Sequence, residues 1–391
     1  MRQARFIDIL NSAACGRVLR RLSLRAMTPR IAKLMIVRRR ELKIAPLWAG
    51  GLAIIMAFAA MPAQSQLSSP QVVARGSNDT AKLFQSLFRS PAAAVVTNYH
   101  SWSNAISLNN GVVEVIVVPS IGRVQQFRFV GDTNGVFWEN AGLFGRSASG
   151  FYKNFGGDKA WPSPQADWNW PPPRGFDGST YVVSCTNGIV TMTGPVDQSY
   201  GIRVTRSIGL VSNRSVMLVK TVFERTSATA RIDKELGAWI DCQVAVTGES
   251  RCYAPVPASS IFVSGYTTNG SSIFTPSLPA LFTNAAGLVS FGRDPRAYHK
   301  LGFDNGTLVM VGPSLSLRMD APRIALANYP DGNSSTEVYT GSGADAYFEL
   351  EMMGPLTKLA VGSQLEFITM YSIYRRTETT PDAEARKLLS L

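Results

Sequence analysis

Apolar and polar residues alternate with a period of two along most of the chain beyond residue 110. GVVEVIVV (Gly111 to Val118), RVQQFRFV (Arg123 to Val130), GIRVTRSIGL and LGAWIDCQVAV are short, rich in β-branched and aromatic residues, and bounded by Gly, Asn, Asp or Pro. That combination predicts strands. The same pattern predicts strands in TYVVSC, GIVTMTG, RSVMLVKTVFE, GLVSFG, GTLVMVG, SLSLRMD, AYFELEMM and QLEFITMYSIY. No segment of helical period is long enough to be a crossover, which excludes doubly wound and barrel α/β architectures. No repeat of about 20 to 50 residues is visible, which weighs against a propeller. The expected fold is an all-β sandwich with short peripheral helices. One helix is expected over Ala81 to Phe88, capped by Asp79 and Thr80, and another in the terminal PDAEARKLLSL.

Charge changes this picture only at the N-terminus. The formal net charge is +12, but residues 1–65 hold 12 Lys/Arg against Asp8 and Glu41, which leaves 27 Lys/Arg against 25 Asp/Glu elsewhere. A nucleic-acid partner is therefore not supported. Arg38, Arg39, Arg40 and Lys43 precede an apolar run from Ala45 to Ala63 and then Ala63-Gln64-Ser65, the pattern of a secretory leader cleaved before Gln66. The expected organisation is a leader over 1–65, a linker and short helix over 66–95, the sandwich over 96–376 and a tail helix over 377–391. A periplasmic or secreted protein follows, touching a membrane only through an uncleaved leader. Cys185, Cys242 and Cys252 remain after the leader. Cys242 and Cys252 end neighbouring segments and are expected to bridge, with three buried thiols as the alternative. With two histidines and no CxxC, no Cys/His metal site and no cofactor are expected.

The chemistry concentrates in a few places. GGDKAWPSPQADWNWPPP, from Gly156 to Pro173, holds three of the seven tryptophans and five prolines. Prolines at this density argue against a central strand, so the segment is expected to be a loop that covers the core or lines an aromatic-rich site. Trp161, Gln165, Trp168 and Trp170 are its candidate ligand contacts. In AYFELEMMGP, alternation puts Tyr347, Glu349 and Glu351 on one face and Phe348, Leu350 and Met352 on the other; in LGAWIDCQVAV it groups Trp239, Asp241 and Gln243. Aromatic rings beside carboxylates and amides suit sugars, since a ring covers the apolar C–H face of a pyranose while the polar groups bond its hydroxyls. An ordinary solvated strand face is the plain alternative. Arg123 and Lys159 are cationic candidates, and His100 (in NYHSWSN) and His299 (in AYHKLGFD) are candidate proton carriers beside Glu349 and Glu351. Asp167 and Asp177 flank the loop in a way that could hold calcium. GxSxG, SxxK, HExxH and phosphate-cradling glycine loops are all missing from the sequence.

The succession NGVVEVIVVPSIGRVQQFRF, GGDKAWPSPQADWNWPPP and YFELEMMGPLTKLAVGSQLEF resembles an uncharacterised bacterial family of the galactose mutarotase-like superfamily, the DUF4380 group, over roughly Asn98 to Tyr374. The resemblance implies a supersandwich whose concave sheet is an open cleft for a mono- or oligosaccharide. Aldose 1-epimerases of that superfamily pair an acid histidine with a carboxylate base on opposite sides of the sugar. Where that histidine is expected, LGAWIDCQ offers Trp239 and Gln243. Carbohydrate binding is accordingly the expected function, with an aldose 1-epimerase-type enzyme or an accessory domain of a glycoside hydrolase or lyase as the alternatives.

Overall fold

Each alternating segment named above becomes a strand in the computed structural model, which describes residues 92–268, 277–343 and 346–391. The leader and the helix expected over Ala81 to Phe88 lie outside the described residues. The first nine strands are β1 (Ala93–Tyr99), β2 (Trp102–Asn109), β3 (Val113–Val118), β4 (Arg123–Phe129), β5 (Asp158–Ser163), β6 (Val182–Thr186), β7 (Ile189–Asp197), β8 (Ile202–Leu210) and β9 (Val216–Arg225). They are followed by β10 (Gly237–Ala245), β11 (Arg251–Pro255), β12 (Thr267–Thr268), β13 (Thr283–Ala285), β14 (Leu288–Gly292) and β15 (His299–Phe303). The last five are β16 (Thr307–Val311), β17 (Leu315–Asp320), β18 (Thr336–Thr340), β19 (Tyr347–Met353) and β20 (Gln364–Arg375). The terminal helix α1 (Pro381–Leu389) starts where the Thr380 hydroxyl accepts from the Ala383 amide at 3.2 Å. Among the described residues no helix is long and apolar enough to cross a membrane.

The strands form two antiparallel ten-stranded sheets, in the orders β1-β2-β3-β4-β5-β10-β19-β18-β15-β12 and β13-β14-β11-β16-β17-β20-β9-β8-β7-β6. The all-β sandwich expected from the alternation is the observed architecture. Inner faces interdigitate: Phe348 of the first sheet meets Phe291 of the second edge-on, with ring centroids 6.3 Å apart. One polar cluster interrupts this core. Asp158 on β5 accepts from Arg206 on β8 and from the Tyr371 hydroxyl on β20, tying the sheets together.

Two expectations are corrected. Cys242 and Cys252 are free and buried, because the short link after β10 carries the chain from one sheet to the other and no hairpin forms between them. The proline-tryptophan segment does enter the first sheet, as β5 with Pro162 inside it. Proline is tolerated because β4 pairs with β5 only at Val124–Asp158, so beyond that point β5 is an edge towards β4 and loses no ladder bond there.

The outer face of the first sheet is partly roofed. Residues 137–156 fold over β2 to β4 and enclose a second small core of Tyr99, Trp102, Ala105, Ile116, Val118, Ile121 and Phe155. Gly156 fixes where this roof lands, since at φ +86° a Cβ would lie 2.1 Å from the Trp138 carbonyl oxygen. Trp138 is thereby held at the edge of the uncovered region.

Candidate functional site

A row of ionisable side chains crosses the outer face of the first sheet. Asp241 pairs in register with Lys159 on one side and Glu351 on the other, Gln243 with Glu349, Glu349 with Tyr339, and Tyr339 with Lys300. Directly paired residues share a face, so these side chains converge. Lys159 Nζ lies 2.7 Å from Asp241, and Lys300 Nζ lies 2.8 Å from both Glu337 and Glu351. Lys300 also sits 4.3 Å over the Trp239 ring, and Lys159 lies 4.8 Å over Trp161. Four carboxyls, Asp241, Glu337, Glu349 and Glu351, thus share two ammoniums.

The imbalance is settled by protons. Burial, then the neighbouring Asp241 charge, raises Glu349 to about 8. Burial raises Glu337 to about 7 against the pull of Lys300, and Glu351 is raised for the same first reason. A buried carboxyl without a full counter-charge holds its proton, because the ionised form is the one that low dielectric penalises.

This arrangement sets a sign for stability against pH. The ordinary value is 4.5, so between there and the folded values of about 7 and 8 the folded chain binds more protons than the unfolded one. The contribution is fully present below about 4.5 and is lost as pH rises through 8. Glu349→Gln cannot titrate, so its melting temperature minus that of the wild type is expected to increase steadily from pH 5 to pH 9. Parallel melting curves across that range would show that Glu349 titrates normally.

Glu349, Tyr347, Tyr339, Trp138, Tyr152 and Asn154 are half-buried, whereas Lys159, Asp241, Gln243, Glu337, Lys300 and Glu351 are buried beneath or beside them. The exposed end of the row therefore brings polar groups together with aromatic rings. Gln243 Nε2 donates to Glu349 at 2.8 Å. The Trp138 and Tyr347 ring centroids are 4.8 Å apart, and Asn154 Nδ2 approaches the Tyr347 hydroxyl at 3.4 Å. Trp239 Nε1 is buried with no hydrogen-bond acceptor among the described residues.

The other expected contacts divide. Trp161 is buried and donates Nε1–H to Asp177 at 2.8 Å, while Trp168 donates to the Pro162 carbonyl at 2.7 Å; both pack on Trp239. Trp170 is 55% exposed. Gln165 is half-buried in a short turn, with its carbonyl accepting from Trp168 and Asn169. Arg123 is buried and spends its guanidinium on Asp177 at 2.8 Å. Asp167 is paired with Lys234 at 2.6 Å, so both aspartates of the calcium alternative are engaged by cations. Among the described residues no three His, Cys, Asp or Glu side chains cluster as metal ligands.

Neither histidine stands beside Glu349. His299 shares the inward face with its register partners Thr340 and Phe348, and donates Nδ1–H to the Ser277 carbonyl at 2.8 Å. Its neighbour Lys300 is the residue that faces the site. His100 lies in the β1–β2 turn, stacked on Phe144 at 3.9 Å and 3.8 Å from Glu139. Glu139 also accepts from the Tyr99 hydroxyl and from Gln126, both at 2.9 Å, and burial raises its pKa. Glu337 and Tyr339 alternate in TEVYT, a signal for their shared face; Trp138, Tyr152 and Asn154 come from a stretch without periodicity.

No known protein family's sequence profile matches this chain, and no curated protein matches it. Among solved structures it is similar to a galactose mutarotase-like protein from Lactobacillus casei, at 11% identity and a TM-score of 0.46 over 69% of this chain and all of that one. A galactose 1-epimerase from Lactobacillus acidophilus matches at 10% identity and a TM-score of 0.42, over 73% of this chain and 100% of that one. A galactose mutarotase related enzyme from the same species gives 10% identity and a TM-score of 0.43, over 71% and 98%. These likenesses are weak.

Proposed function

We propose that the half-buried end of the ionisable row is a carbohydrate-binding cleft with Glu349 as its central polar contact. The observation that carries this is Glu349 itself: a carboxyl raised to about 8, oriented by Gln243, on the same strand face as Tyr347, whose ring packs on Trp138. At neutral pH such a group is mostly protonated, so it both donates to and accepts from a sugar hydroxyl. Tyr347 and Tyr339 have phenols raised by burial and by the Glu349 charge, so they remain neutral and can do the same.

An aldose 1-epimerase is the second reading. It is favoured by one feature, a carboxyl able to exchange a proton near neutral pH. It is disfavoured by the placement of both histidines, since His299 faces the core and His100 is engaged with Glu139. Binding without turnover therefore stands first, and membership of the DUF4380 group belongs to the same proposal.

A calorimetric screen of neutral mono- and oligosaccharides tests it. Glu349→Ala is expected to lower the affinity of the best ligand at least about tenfold, in the range of a lost hydrogen bond to a desolvated site. Glu349→Gln is expected to retain much of it at pH 7, because an amide resembles a protonated carboxyl in both donating and accepting. If no neutral sugar binds, or Glu349→Ala binds as tightly as the wild type, the cleft is not a sugar site. Accelerated mutarotation of freshly dissolved galactose or glucose that is lost in Glu349→Ala would instead establish the epimerase.

A further inference from the structure

The proline-tryptophan segment has a second side. Trp170, Pro171 and Phe151, with Gln198, Ser199 and Arg231, line a groove of about 790 Å³. No member of the ionisable row lines it. Trp170 is 55% and Phe151 74% exposed, an unusual pair of large rings to leave in water at one place. The Trp170 ring is nevertheless held, at a steep angle against Tyr152 and Trp161 with centroids 4.8 and 6.1 Å away. Its position is set before any ligand arrives.

The charged groups of the groove are equal in number but not in engagement. Its two carboxylates are already satisfied: Asp167 by Lys234 at 2.6 Å, and Asp197 by the backbone amides of Gly175, Ser199 and Tyr200. Its two guanidiniums are not. Arg174 has no hydrogen bond or ion pair from its side chain to a described residue, and Arg231 has only the Ser199 hydroxyl at 2.8 Å. Arg174 is also placed by packing, its guanidinium lying over Gly150, where a Cβ would come within 2.9 Å of Cζ. The cationic candidates of the sequence, Arg123 and Lys159, are consumed by Asp177 and Asp241.

We propose that this groove binds a short oligosaccharide containing uronic acid, with a pyranose face on Trp170 and carboxylates on Arg174 and Arg231. A fixed, exposed indole suits the C–H face of a sugar, and a free guanidinium fork suits a carboxylate. The groove's volume of about 790 Å³ falls within the range of about 300–1,000 Å³ of clefts that hold drug-sized ligands, larger than one sugar ring, which favours an oligomer. The groove shares Tyr152 with the edge of the Glu349 cleft but none of the ionisable row, and the proposal does not rest on that reading.

The test uses trisaccharides of galacturonate, glucuronate and mannuronate, each beside its methyl ester, titrated against the full chain with tryptophan fluorescence and calorimetry. At least one acid form is expected to bind with a sub-millimolar Kd. Trp170→Ala is expected to weaken it at least about tenfold, Arg174→Gln and Arg231→Gln several-fold each, and methyl esterification or 0.5 M salt by a similar factor, as screening of exposed charges requires. Glu349→Ala is expected to leave it unchanged. The proposal is overturned if no acid form binds, if the esters bind as well as the acids, or if Trp170→Ala and the double arginine variant bind normally. Loss in Glu349→Ala with retention in Trp170→Ala would place the ligand in the other cleft, and would do so whether or not neutral sugars bind there.

Discussion

Arg206→Met is expected to lower stability by about 3–5 kcal/mol, the cost of leaving one member of a buried ion pair without its partner. Arg206 and Asp158 are each within about one per cent of full burial and come from opposite sheets. The guanidinium meets the Asp158 carboxylate with Nη2 and its backbone oxygen with Nη1, while Tyr371 donates to the other carboxylate oxygen. Methionine keeps most of the packing but supplies no charge. Burial already pushes the Asp158 carboxyl up with Arg206 in place. Without Arg206 it takes a proton, so the loss is expected to be smaller at pH 5 than at pH 8. At about 1.6 °C per kcal/mol for a folded body of about 300 residues, the melting temperature falls by about 5–8 °C at pH 8. Adding Asp158→Asn is expected to recover a large part, because an amide accepts from Tyr371 without needing a counter-charge. Thermal melts of the single and double variants decide it, and a single variant within about 1 kcal/mol of wild type would show that the cluster does not brace the sheets.

The sandwich was legible because its strands alternate cleanly, and the faces of β10 and β19 were legible for the same reason. Asp241 and Gln243 point with Trp239, and Glu349 and Glu351 point with Tyr347, as a period of two dictates. Adjacency was not legible: β10 and β19 pair across about a hundred residues of chain, so nothing local says that Gln243 would meet Glu349. His299 shows a signal present but unused. HKLGF puts His299, Leu301 and Phe303 on one face, and two large apolar partners mark that face as the core side, which leaves Lys300 for the site. Trp138, Tyr152 and Asn154 had no such signal, because their stretch is positioned by tertiary contact and by backbone at Gly156 that only glycine adopts easily. Proline in β5 misled for a related reason. Whether a proline breaks a ladder depends on which neighbour is missing, and that is a property of the sheet.

Trp161→Ala is the complementary expectation on the site side, with a cost of about 3–5 kcal/mol, against less than about 1 kcal/mol for Trp170→Ala. The two indoles are nine residues apart in one segment and touch each other, yet they do different work. Trp161 is 3% exposed, packs edge-on with Tyr152, Trp168 and Trp239, and lies under the Lys159 ammonium. Its removal opens a cavity at the head of the ionisable row. It also takes from Asp177 one of the donors that offset its burial, leaving the Arg123 guanidinium as the side chain that hydrogen-bonds that carboxylate. Trp170 loses only the contact of a half-exposed ring. Trp161→Phe separates the two contributions, since it restores most of the packing but not the Nε1–H donor, and is expected to fall between wild type and Trp161→Ala. Urea unfolding at pH 7 measures all three. Equal losses in Trp161→Ala and Trp170→Ala would mean that the segment is pinned collectively, and the division between a packing indole and an exposed, ligand-facing one would not hold.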